Sequence, residues 1–190
     1  NVNVLIVQLV TLYRAGEPFR MSTRAGEFVT LKELMDEVGV DATRIFFIQR
    51  KLDTHLDFDV ELAKKESDDN PVYYLQYAHA RISSIVAFSG RPVPDKADMT
   101  LLNEPETVAL AKKLAEFPVQ VENASRLLEP FRIFDYLREL AQAFHKFYTF
   151  HRVVTDDAAL TDARLILVDA VRIVVRNGLS VLGVHAPEKM

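Results

Sequence analysis

The chain has 190 residues, of which 49% are hydrophobic and 26% charged, with a net charge of −4 and no cysteine. This supplies one large domain or two small ones with a sizeable core, and it excludes a disordered or fibrous chain. The missing cysteine excludes disulfides, thiol catalysis and cysteine zinc sites. The acidic total counts mildly against a nucleic-acid partner, although local patches decide binding.

No apolar run reaches the roughly 18 to 20 residues that span a bilayer. The longest, Val2 to Tyr13, is broken by Asn3 and Gln8. No signal peptide is visible. The chain opens on Asn1 rather than Met, which reads as a piece of a longer protein.

Val2 to Arg14 is rich in Val, Leu, Ile, Thr and Tyr and predicts a strand. Ala15-Gly16-Glu17-Pro18 predicts a turn. Phe19 to Met21 and Glu27 to Val29 predict short strands flanking a loop at Ser22 to Gly26. Thr30 and Glu33 fit a capping box, with Leu31, Leu34, Met35 and Val38 as the apolar stripe and Gly39 as the stop. Asp41 is expected to cap a helix over Ala42 to Arg50. The charged stretch Asp53 to Asp69 holds a short helix at Val60 to Lys65.

Asn70-Pro71 opens a strong helix that runs to about Phe88, because Asn caps and Pro suits the first helical position. Gly90 to Met99 is a loop. Further helices follow at Pro105 to Glu116, Val119 to Leu128, Pro130 to His151 and Ala158 to Arg176, the last ended by Gly178. On the third of these, Ile133, Phe134, Leu137, Leu140, Ala141, Phe144, Phe147 and Tyr148 share one face. The architecture is mainly α: a small β-containing front end with a helical bundle behind it.

The helix from Asn70 breaks a rule of polarity. At about 100° per residue, Val72, Leu75, His79, Ile82, Ile85 and Val86 gather on one side. Tyr73, Tyr74, Tyr77, Arg81 and Ser84 gather on the other. Tyr and Arg presented together suit stacking on a nucleobase, as in the reading of single-stranded RNA. The alternative is that this face packs on a neighbouring domain, since Tyr is common at interfaces.

Other constellations are weaker. Asp53, Asp57, Asp59 and Glu61 lack the glycine and spacing of a Ca²⁺ loop and read as capping and solvated charge. The five histidines show no metal spacing, so no metal is expected, and His79 reads as a packing residue. Arg164, Arg172 and Arg176, against Asp169, form a modest basic stripe, either a solvated face or a phosphate-contacting edge.

The stretch from "GEPFRMSTRAGEFVTLKELMDEVGVDATRIFFIQRKL" through "NPVYYLQYAHARI" resembles arginyl-tRNA synthetases, from the second catalytic signature into the anticodon-binding domain. "LRELAQAFHKFYTFHRV", "DARLILVDAV" and the ending "GLSVLGVHAPEKM" resemble the rest of that region, and Asp162-Ala163-Arg164-Leu165 matches the pattern after which the domain is named. Arg91 to Asn123 is generic.

The resemblance implies a class I enzyme that couples arginine to its tRNA with ATP and Mg²⁺. Residues 1–66 would be the end of the catalytic domain and 67–190 a helical anticodon-binding bundle. Arg20, Met21, Ser22, Thr23 and Arg24 would be the counterpart of the Lys-Met-Ser-Lys-Ser loop, which stabilises ATP phosphates. Thr23 replaces the second lysine, with Arg24 beside it. The first signature and a nucleotide-binding sheet are absent from these residues, so the chain alone, without cofactor, is expected to be inactive. Every arginine anticodon has C in the middle. Tyr74, Tyr77, Arg81, Tyr148 and Met190 are the residues the resemblance places near it. The expected setting is cytoplasmic and monomeric, with arginine tRNA as partner and neither DNA nor membrane. The competing function is a helical protein-interaction or oligomerisation module with no RNA role.

Overall fold

The computed structural model describes residues 4–19 and 29–190. The front end is a three-stranded sheet of β1 (Val10–Arg14), β2 (Glu17–Pro18) and β3 (Leu56–Asp59), in the order β2-β1-β3. β1 and β2 form a hairpin across Ala15 and Gly16, with φ of 50° and 81°. Two positive φ values match the twist of tight hairpins, and Gly16 takes its value at no steric cost. β3 lies parallel to β1, with Leu12 opposite Phe58. Parallel strands need a long crossover, and two helices, α1 (Leu31–Val38) and α2 (Val40–Ile48), supply it.

Of the strand expected over Val2 to Arg14, the described residues 4–14 form a strand only over the last five. Val4, Leu5, Ile6, Val7 and Leu9 are exposed, and the described backbone there makes one contact, from the Gln8 N–H to the Leu52 carbonyl at 2.9 Å. β-branched residues make a strand only where a neighbour completes the ladder and a face is covered. Phe19 and Val29 stand outside any strand. The rest of those two expected strands, and the whole Arg20 to Arg24 loop, lie outside the described residues.

Thr30 caps α1 as its sequence requires: Thr30 Oγ1 accepts from the Glu33 N–H at 3.1 Å, and Glu33 accepts the Thr30 N–H at 2.7 Å. Gly39, at φ 87°, ends α1 and starts α2 directly. Asp41 therefore falls inside α2 and does not cap it. Its carboxylate accepts from Gln76 Nε2 at 2.9 Å and lies 3.1 Å from His185 Nδ1. A short helix, α3 (Val60–Lys64), is capped by Asp59.

α4 (Pro71–Phe88) is capped by Asn70, whose Oδ1 accepts from the Val72 N–H at 3.1 Å. The same side chain donates to the carbonyls of Ala63 and Lys65, at 3.1 and 2.8 Å, so it also fixes how α3 turns into α4. The bundle continues with α5 (Pro105–Ala115), α6 (Phe117–Leu127), α7 (Phe131–Phe150) and α8 (Ala158–Val181). Leu75 and Ile82 of α4, Leu137, Leu140, Phe144 and Phe147 of α7, and Leu165, Val171 and Val175 of α8 have no exposed surface.

α8 does not stop at Gly178 but passes through it to Val181. A Cβ at position 178 would lie 2.6 Å from Leu137 Cδ2. Glycine is there because α7 and α8 approach closely, and the chain turns later, at Gly183 (φ 70°). The segment after α8 is then fastened to the front end and to α4. Arg44 Nε donates to the Leu182 carbonyl at 3.0 Å, Gln76 to the His185 carbonyl at 3.0 Å, and His79 Nδ1 to the Pro187 carbonyl at 2.8 Å.

Candidate nucleic-acid interface

The unusual face of α4 is open, as its wheel predicts. Val72, Leu75, His79, Ile82 and Ile85 are buried, whereas Tyr73, Tyr74 and Tyr77 are half-buried and Arg81 and Ser84 exposed. Tyr73 and Tyr77, one turn apart, stack with centroids 6.1 Å apart and planes 8° apart. They form a ready-made flat surface on the outside of the bundle.

α7 supplies the wall beside it. Tyr74 OH and His145 Nδ1 share a hydrogen bond of 3.1 Å, and their rings meet edge-on at 5.1 Å. Tyr77 reaches the same imidazole at 6.4 Å. Burial holds His145 below the ordinary histidine value, with Asp68 opposing and Arg81 assisting the shift. Burial likewise raises the Tyr74 hydroxyl, helped by Asp68. Near neutral pH the contact is therefore between uncharged groups.

One turn on, the Arg81 guanidinium lies 5.1 Å from the Tyr148 ring centroid, and Tyr148 stacks on Phe144 at 5.9 Å. Packing below and a cation above hold the Tyr148 ring in one orientation. Tyr148 is thus anchored against the core, on the apolar face where its wheel places it, and half-open at the edge. Beyond it opens a groove of about 970 Å³ between the end of α4 and the α7–α8 loop, lined by Arg81, Phe88, Tyr148, Arg152, Thr155 and their neighbours.

Met190 stands apart. It is 56% exposed, and the hydrogen bonds that fix the tail end at Pro187. So the structure brings Tyr74, Tyr77, Arg81 and Tyr148 onto one surface and leaves Met190 without a polar tie to them.

The arginine stripe expected on α8 is corrected. Arg164 is 6% exposed and neither solvated nor free for phosphate. One of its terminal nitrogens donates to the Arg152 carbonyl at 2.7 Å and the other to Glu104 at 2.6 Å. Asp162, two residues earlier, pairs with Arg91 at 2.7 Å, and Arg172 pairs with Asp169 at 2.7 Å. Asp162 and Arg164 are thus structural ties. They fasten the loop before α5 and the loop after α7, which forms the far wall of the groove.

Sequence reasoning missed His145 and Phe88. Phe88 was visible, since on the α4 wheel it falls between Tyr77 and Arg81. His145 was not, because its role depends on a partner 71 residues away.

The fold is a helical bundle behind a small sheet, with an aromatic face left open on α4. Residues 75–190 match the DALR anticodon binding domain, and the chain belongs to that family. It is 51% identical over its full length to an arginine–tRNA ligase of Desulforamulus reducens and 53% identical to one of Desulfosudis oleivorans. It spans 35% of the length of each. Among solved structures, 97% of the chain superposes on 40% of a Campylobacter jejuni protein described as an arginyl-tRNA synthetase, with a TM-score of 0.86 and 37% identity. The Thermus thermophilus arginyl-tRNA synthetase matches 88% of the chain over 29% of its own, with a TM-score of 0.72 and 28% identity. No helix among the described residues is long and apolar enough to cross a membrane.

Proposed function

We propose that this chain is the C-terminal part of a cytoplasmic arginine–tRNA ligase, and that residues 67–190 bind the anticodon region of arginine tRNA. The observation that carries the reading is the open α4 face. It holds a stacked tyrosine pair and, one turn on, an arginine over a third tyrosine. Stacking gives sequence-tolerant affinity, and the hydroxyls and guanidinium can satisfy the edge of a pyrimidine. Tyr74, Tyr77, Arg81 and Tyr148 are the proposed contacts to the middle C. Met190 joins them if the tail beyond Pro187 folds over the bound base.

Residues 1–66 are then the end of the catalytic domain. In the whole ligase ATP, with Mg²⁺, drives the attachment of arginine. This chain's own contribution there is Arg20 to Arg24, whose cations would neutralise phosphate charge. The chain alone is inactive in this reading, because its sequence holds no His-Ile-Gly-His signature.

Titration with arginine tRNA, beside the same tRNA with the middle anticodon C changed to A, tests the proposal at two salt concentrations. Preference for C, with affinity falling steeply as salt rises, supports it. Tyr77→Ala should weaken binding roughly 5- to 150-fold, the value of one lost base stack, without unfolding the domain. Binding that ignores both the anticodon and salt would return the face to the protein-interaction reading.

A further inference from the structure

We propose that the groove beyond the Arg81–Tyr148 pair is a second nucleotide subsite, in which Phe88 stacks a base and Arg152 meets its phosphate. The inference rests on the anticodon reading above and extends it by one nucleotide.

A singly exposed phenylalanine needs no explanation in itself. Phe88 differs by its setting. It is 81% exposed on the last turn of α4 and stands on the rim of a groove of about 970 Å³. Tyr148 lines the same groove, and Ile85 and Val153 add apolar surface. Phe88 brings the one uncovered ring face, and Tyr148, already covered by Phe144 and Arg81, brings only its edge. The Thr149 and Thr155 hydroxyls, which donate to the His145 and Asp157 carbonyls, can still accept. This lining matches a base, which is flat, apolar on its faces and polar at its edges.

Charge points the same way. Arg81 and Arg152 line the groove against a single acid, Asp156. Arg81 is committed to the Tyr148 face. The Arg152 backbone is held by the buried Arg164, which fixes the origin of its side chain while leaving its guanidinium outside any ion pair among the described residues.

Continuity selects RNA over a separate ligand. At 1.5 Å rise per residue, Phe88 lies about 10 Å along α4 from Arg81, and Arg81 about 6 Å from Tyr77. Neighbouring, unstacked nucleotides of one strand span such distances. A strand with its middle anticodon base at Tyr77 and Arg81 runs directly into the groove.

The test is a titration of the chain and its variants with arginine tRNA over a salt series. Phe88→Ala should weaken binding roughly 5- to 150-fold without changing the salt slope. Arg152→Gln should lower the slope of log K against log salt by about 0.7, the share of one single-strand phosphate. Both variants should keep the full preference for C at the middle position. An abasic nucleotide next to that position, on one side or the other, should make Phe88→Ala silent. Unchanged affinity of Phe88→Ala, alongside weakened Tyr77→Ala, overturns the subsite and leaves the anticodon reading standing. Loss of the C preference in Phe88→Ala also overturns it, because Phe88 then belongs to the first base. If the unaltered chain shows no C preference and Tyr77→Ala binds equally well, the underlying reading has failed instead. Phe88 and Arg152 are both at the surface, so folding is checked simply by matching melts.

Discussion

Replacing Arg164 with methionine keeps a long stem in the core and removes the guanidinium. The structure assigns that group two bonds: one to Glu104, whose side chain is 25% exposed, and one to the Arg152 carbonyl. A charge-assisted bond contributes about 1.5–3 kcal/mol and an ordinary one about 1. The carboxylate left behind keeps its Thr107 bond, at 3.0 Å, and some water. The expected loss is therefore about 3 kcal/mol, at the low end for a broken buried pair, or roughly 6–12 °C in a chain of this size. Urea unfolding of Arg164→Met, Glu104→Gln and the double variant measures it. The double should cost less than the sum of the singles by at least about 1 kcal/mol. There is also a pH signature. Burial pushes the Glu104 carboxyl up, but hydrogen bonds from its own backbone, Arg164 and Thr107 outweigh this and hold it below its usual 4.5. A depressed carboxylate stabilises the fold above the unfolded value and ceases to do so as pH falls through the folded one. Arg164→Met should flatten stability below about pH 4.5 relative to the unaltered chain. A loss under about 0.5 kcal/mol, the size of an ordinary surface change, would refute the view of Arg164 as a clamp.

Thr30→Ala removes one half of a capping box and should cost about 1 kcal/mol by urea unfolding. Glu33→Ala at the other half should show less than additive loss with it. Burial holds His79 below the ordinary histidine value, assisted by Arg172 and Arg176 and opposed by the Pro187 carbonyl and Glu188. It is neutral when folded, so stability should be full above about pH 6.5 and decline as pH falls through the folded value. His145 adds a decline of the same sign. His79→Asn should remove part of that slope between pH 7 and 5.

Local signals were legible where one short segment satisfies itself. Thr30 with Glu33, and Asn70 with Pro71, state both the start of a helix and the atoms that cap it. The α4 wheel separated core from surface because its two faces differ in residue type. What was not legible depends on partners far along the chain. The run from Val2 looks like a strand throughout, but β1 exists only where Leu56 to Asp59 lies alongside. Arg164 looks like part of a basic stripe until Glu104, 60 residues earlier, is brought against it. Gly178 looks like a stop because glycine often is one, and nothing local reveals that Leu137 occupies the space a side chain would need.

That contact makes positions 137 and 178 a single volume shared between two helices. Exchanging a mid-helix glycine for alanine is a standard route to a stiffer protein, gaining about 1 kcal/mol. Here the added methyl has no vacancy to enter, and the leucine it meets has no exposed surface into which to retreat. Sequences of this fold that enlarge residue 178 must displace or trim the side chain at 137 in the same step or move α8 away from α7. An engineer seeking stability should treat the two as one coupled site.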